Sequence, residues 1–118
     1  MNSLRLPVIG SVLMIFLISV GLHFGSAQPA EVQIVCQKSF FSPGTIELKQ
    51  GEPVRLVLKS VDVTHGFAVD ELKIAREIPV GPPTVIVFTP EQTGQFVFYC
   101  AVRCGKHHLQ MRGTIIVR

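Results

Sequence analysis

A chain of 118 residues, 47% of them hydrophobic, has room for one small domain and at most a short targeting or anchoring segment. Its formal charge of +3 comes without a dense Lys/Arg run or a basic groove interleaved with aromatics, which argues against nucleic acid as a partner. Three cysteines are an odd number, so an exported form carries at least one thiol outside any disulfide.

Residues 6–24 are almost all apolar, preceded by Arg5 and by no acidic residue. The pattern predicts one N-terminal hydrophobic helix, with residues 1–27 either a signal peptide cut after the small residues Gly25, Ser26 and Ala27 or an uncleaved membrane anchor. The single basic residue ahead of the run keeps the N-terminus in the cytoplasm and exports the rest. Either way, the globular part lies on the periplasmic or extracytoplasmic side, held at the cell membrane or secreted to the periplasm.

From Glu31 onward the chain reads as short strands separated by Gly/Pro punctuation, an all-β pattern over residues 31–118. Val32, Ile34 and Cys36 share one parity in the first strand, which points Cys36 into the core as a small hydrophobe. Phe41-Ser42-Pro43-Gly44 is a turn, after which Ile46 and Leu48 face opposite to Thr45, Glu47 and Lys49. Val54, Leu56 and Leu58 alternate with Arg55 and Lys59, the signature of a half-buried strand. A further short strand is expected near residues 65–69, and residues 70–77 read as a loop. Residues 84–88 form a strand apolar on both faces. The strand at residues 95–99 delivers Cys100, and residues 113–117 close the domain. Seven or so strands in so short a span predict a two-sheet Greek-key sandwich.

Residues 100–111 hold the chemistry. Cys100, Cys104, His108 and Met111 stand at spacings of four, four and three. Thiolate, imidazole and thioether are soft or borderline ligands suited to copper, and thioether excludes calcium, magnesium and manganese. Simpler alternatives exist for each residue alone: a Cys100–Cys104 disulfide, an exposed His108, a core Met111. Together they point to a metal site. One Cys, two His and a weak Met would make a mononuclear blue-copper site and leave Cys100 surplus. Two thiolates can instead bridge two copper ions, each ion taking one imidazole, with Met111 a weak ligand. The second imidazole is expected from His65, since His23 falls in the N-terminal segment and His107 adjoins His108 and faces away. A structural Cys2His2 zinc site would leave Met111 without a role.

Three features carry a family resemblance: Ser60-Val61-Asp62-Val63-Thr64-His65-Gly66-Phe67, the strand from Gly94 to Cys100, and the Cys100–Met111 pattern followed by Gly113-Thr114-Ile115. In these the chain resembles the binuclear copper (CuA) domain of cytochrome c oxidase subunit II, within the cupredoxin fold, over most of residues 31–118. A single N-terminal hydrophobic segment is similar to the one-helix subunit II of some bacterial and archaeal oxidases. The resemblance implies a cupredoxin-like Greek-key sandwich holding two copper ions on His65, Cys100, Cys104, His108 and Met111. It adds the backbone carbonyl of Val102 as a ligand, a position where the family usually carries a polar or acidic side chain. It further implies an electron-transfer protein without catalysis of its own. Its donor would be a cytochrome c or another cupredoxin, with a haem-copper oxidase subunit I as a further partner and the membrane engaged through the N-terminal segment. A free-standing copper-binding or copper-delivery cupredoxin is the alternative. A thioredoxin-like copper chaperone also uses Cys-x3-Cys, but βαβ units are missing from the pattern. Family members that dock cytochrome c present acidic residues and an exposed aromatic, typically tryptophan, near the metal. This chain has no tryptophan and carries Arg103, Lys106 and Arg112 in the loop, which favours an acidic or neutral donor unless these are merely solvated side chains.

Overall fold

The alternating segments become nine strands among the described residues: β1 Ala30–Gln37, β2 Phe40–Ser42, β3 Thr45–Leu48, β4 Val54–Ser60, β5 His65–Val69, β6 Ile74–Ile78, β7 Thr84–Phe88, β8 Gly94–Tyr99 and β9 Arg112–Val117. The computed structural model describes residues 28–38 and 40–118, together with Ser3, Gly10 and Gly21. The hydrophobic helix expected within residues 1–27 lies outside these; no helix of the described residues is long and apolar enough to cross a membrane.

One sheet has the order β2-β1-β4-β7 and the other β3-β9-β8-β5-β6. The β1/β4 and β3/β9 pairs are parallel and join strands distant in sequence, with Cys36 opposite Ser60 and Ile46 opposite Ile115. Period-2 patterning sends Ile34, Cys36, Val54, Leu56 and Leu58 from one sheet, and Ile46, Phe67, Phe96, Phe98 and Ile115 from the other, into a single core. Phe41, Phe67 and Phe98 meet there with ring centroids 5.0–6.0 Å apart, two of the three pairs edge-on. The sandwich expected from the strand pattern is therefore present, and Cys36 lies in its core as expected.

Two local expectations change. Residues 70–77 are not simply a loop. Asp70–Leu72 is one turn of 3₁₀ helix, Lys73 takes a left-handed conformation, and β6 returns antiparallel along β5. β6 is an edge strand whose Ala75, Arg76 and Glu77 are all exposed, so its place is set by backbone pairing rather than by apolar alternation. The strand at residues 84–88 exists, but as the edge strand β7 it leaves Val87 exposed.

Candidate metal centre

β5 is buried along its whole length. One face of it looks into the core. On the other, a Cβ placed on Gly66 would come within 2.7 Å of the backbone nitrogens of Ala101 and Val102. Glycine at 66 thus allows the segment after β8 to lie directly across β5. That close approach brings His65, at the start of β5, against Cys100, at the end of β8.

His65 is held from behind. The Asp62 carboxylate meets His65 Nε2 at 2.7 Å and accepts the backbone N–H groups of Lys38 and Val63 at 2.7 Å each. The Ser60 hydroxyl donates to the Val63 carbonyl and closes the same turn. Burial by itself would raise the Asp62 carboxyl; the hydrogen bonds from His65, Val63 and Lys38 outweigh it and hold the group below the ordinary carboxylate range. With Nε2 engaged, the other ring nitrogen of His65, Nδ1, is turned toward Cys100 Sγ at 4.0 Å.

The loop of residues 100–111 is closed at its base by the Cys100 N–H donating to the Met111 carbonyl at 3.1 Å. Within it, Cys100 Sγ lies 3.2 Å from Cys104 Sγ and 3.0 Å from the Val102 carbonyl oxygen, and accepts the Gly66 N–H at 3.3 Å. A 3₁₀ turn at His108–Gln110 nearly eclipses positions three apart, so His108 and Met111 project the same way. Both reach Cys104: His108 Nδ1 at 3.6 Å and Met111 Sδ at 3.7 Å from its sulfur. His65, Cys100, Cys104 and Met111 are buried, and His108 is half-exposed.

All three cysteines are free thiols. Burial pushes Cys104 up to about 11, helped by its hydrogen bond and proximity to Cys100. Cys36 is pushed up to about 12, again by burial first and then by the nearby Cys100. At neutral pH the metal-free chain therefore keeps Cys104 and Cys36 protonated, and a metal must displace the Cys104 proton to bind there.

Every residue expected at the site is brought together: His65, Cys100, the Val102 carbonyl, Cys104, His108 and Met111. His107 is exposed, consistent with its side chain facing away. The ligand atoms of His65, Cys100 and Cys104 lie within 4.8 Å of one another. First-row metal bonds of about 2.0 Å to imidazole and about 2.3 Å to thiolate let one ion span a nitrogen–sulfur gap of up to about 4.3 Å. Both nitrogen–sulfur gaps here, 4.0 and 3.6 Å, are inside that limit. The donor set, soft sulfur with imidazole, fits copper. Sequence reasoning passed over the part played by Asp62. The available signal was a carboxylate three residues before a candidate ligand histidine, in a segment too short and polar to be a core strand.

The chain matches the model of the cupredoxin-like domain family over residues 8–117 and belongs to that family. Within it, the fold is of the CuA type. The chain is 40% identical over 74 residues to the alternative cytochrome c oxidase subunit 2 of Bradyrhizobium diazoefficiens, a match covering 63% of this chain and 27% of that protein. It is 31% identical over 98 residues to the nitrous-oxide reductase of Cupriavidus necator, covering 80% of this chain and 15% of that protein. Its fold superposes on the periplasmic domain of subunit II of cytochrome oxidase from Bradyrhizobium japonicum with a TM-score of 0.69 at 18% identity, covering 78% of this chain and 87% of that one. The chain thus spans about a quarter or less of the two sequence relatives.

Proposed function

We propose that the chain is an electron-transfer protein built on a binuclear copper centre, with His65, Cys100, the Val102 carbonyl, Cys104, His108 and Met111 as ligands. One observation carries this: the two thiols stand 3.2 Å apart, and each has a different imidazole beside it, His65 at Cys100 and His108 at Cys104. A mononuclear site needs one thiol, and a lone zinc needs no thioether at 3.7 Å from a sulfur. Two copper ions held on these residues would supply one-electron redox chemistry.

The protein's part is to hold those ligands still. Asp62 orients the His65 ring, the Gly66 N–H donates to the Cys100 sulfur, and Met111 is locked by the backbone bond between Cys100 and its own carbonyl. The two thiol residues are buried, while half-exposed His108 is the ligand side chain nearest solvent. On this reading the centre relays electrons from a donor such as a cytochrome c or another cupredoxin. Similarity to oxidase subunit 2 supports a place beside a haem-copper oxidase subunit I, with the domain on the outer side of the cytoplasmic membrane. A second reading is a free-standing cupredoxin that carries electrons or delivers copper outside any oxidase; the likeness over 98 residues to part of a nitrous-oxide reductase extends the similarity beyond oxidase subunits.

Copper analysis with electron paramagnetic resonance tests the centre. Two copper ions per chain and one unpaired electron shared over two equivalent nuclei are expected; one copper with a mononuclear blue signal, or zinc in its place, refutes it. Co-purification of a catalytic oxidase subunit with the full chain separates the first reading from the second.

A further inference from the structure

Leu109 is 80% exposed, more than any other large hydrophobic residue among those described, and it sits next to His108, the one candidate ligand side chain that is not buried. Resting on the electron-transfer reading above, we propose that the face around His108 docks a small redox protein whose contact surface is apolar at its centre and acidic at its edge.

Access to the site is one-sided. His65, Cys100, Cys104 and Met111 are all under 10% exposed, so a partner approaches the centre most closely over His108. His108 lies between two shallow hollows. One is lined also by Tyr99, Cys100, Ala101, Leu109, Met111 and Arg112, the other by Lys38, Cys104, Gly105, Lys106 and His107. The apolar element is therefore Leu109 with Ala101, and cationic side chains stand on both sides of it.

The charge is consistent in sign. Residues 100–112 contain Arg103, Lys106 and Arg112 and no acidic residue, and Lys38 adds a fourth cation from the β1–β2 turn. The nearest acids are occupied or displaced to the flank. Asp62 is turned inward onto His65 and the backbone of Lys38 and Val63. Asp70 accepts the Tyr99 hydroxyl at 2.7 Å, and with Glu71 it borders the face beyond Arg112. Arg112 itself is aimed over the loop, its Nε donating to the Leu109 carbonyl at 3.3 Å. A mainly cationic rim, with Asp70 and Glu71 only on its Arg112 flank, around an exposed apolar residue steers an acidic partner and disfavours a basic one.

The test uses the full chain, ¹⁵N-labelled, both metal-free and copper-loaded, with an acidic rubredoxin and a basic cytochrome c as probes. The rubredoxin is expected to shift amides of residues 101–112 and Lys38 in both forms. Its affinity should fall at least about tenfold as salt rises from about 20 to about 200 mM, because exposed charges are screened over this range. Lys106→Glu should weaken it by a similar factor and Leu109→Ser by severalfold, with copper loading unchanged in both, since neither side chain is a ligand. The docking proposal is overturned if shifts fall elsewhere or if cytochrome c binds as well as the acidic probe. It is equally overturned if the face instead pairs two copies of the chain or binds anionic vesicles. Docking of the metal-free chain without electron transfer by the copper-loaded one sinks the electron-transfer reading while leaving the surface in place; the converse result sinks only the surface.

Discussion

Replacing Asp62 by alanine separates a positioning role from a merely structural one. The carboxylate accepts three hydrogen bonds, and one of them comes from His65, whose side chain is fully buried. Removing it leaves the His65 Nε2–H, on a ring with no solvent exposure of its own, without its partner, at a cost of about 1–3 kcal/mol to the metal-free fold. The Lys38 and Val63 N–H groups lie nearer solvent and add little. The ring then loses the contact that presents Nδ1 to Cys100, and loss of such an orienting partner weakens metal binding by about 10–100-fold. Urea unfolding of the metal-free chain measures the first effect and competitive copper titration the second. Asp62→Asn is the companion variant: its amide oxygen still accepts the His65 hydrogen bond, so most of the affinity returns although the charge does not. The pH dependence has a definite sign. A carboxyl held low in the folded state stabilises it above the ordinary carboxylate value and loses that contribution as pH falls through the depressed one, so the gap between wild type and Asp62→Ala narrows in acid. Copper affinity and stability of Asp62→Ala equal to wild type at neutral pH would refute the reasoning.

Other outcomes follow from the same geometry. On the two-copper proposal, Cys100→Ser removes one of the two shared sulfurs and should leave a chain that binds one copper with a mononuclear spectrum; two ions bound by that variant contradict the ligand scheme. Gly66→Ala sets a methyl 2.7 Å from two backbone nitrogens that cannot step aside, so the chain should lose about 1–3 kcal/mol of stability and load copper poorly, as circular dichroism melts and metal analysis would show. Because Cys104 is raised to about 11, binding expels its proton, and apparent copper affinity should climb roughly tenfold per pH unit for each proton displaced across neutral pH; a flat profile counts against thiolate ligation. Phe98→Ala, in the aromatic cluster, should cost about 3–5 kcal/mol in denaturant unfolding while leaving the spectrum of whatever copper-loaded protein folds unchanged.

Much of this molecule is written along the chain. The strands β1, β3, β4 and β8 declare themselves because one face of each is buried and period-2 alternation records that burial directly. The loop ligands are equally legible, since Cys100, Cys104, His108 and Met111 are close in sequence and their chemistry is narrow. Edge strands are not legible in this way. β6 is polar and follows a left-handed residue, and its pairing with β5 runs through backbone groups that carry no side-chain signature.

The decisive long-range facts belong to the tertiary structure. Composition and spacing established an all-β chain with a cluster of soft ligands and, by elimination among the histidines, pointed to His65 as the missing partner; resemblance added the Val102 carbonyl. Only the packing of β5 beneath the segment after β8, permitted by the bare backbone of Gly66, brings His65 to 4.0 Å from Cys100. Only the turn holding Asp62 decides which nitrogen of that ring faces the sulfur. The first depends on a contact between residues 35 positions apart, of which linear patterning carries no record; the second is local, Asp62 standing three residues before His65, but which ring nitrogen it takes is set by the folded turn.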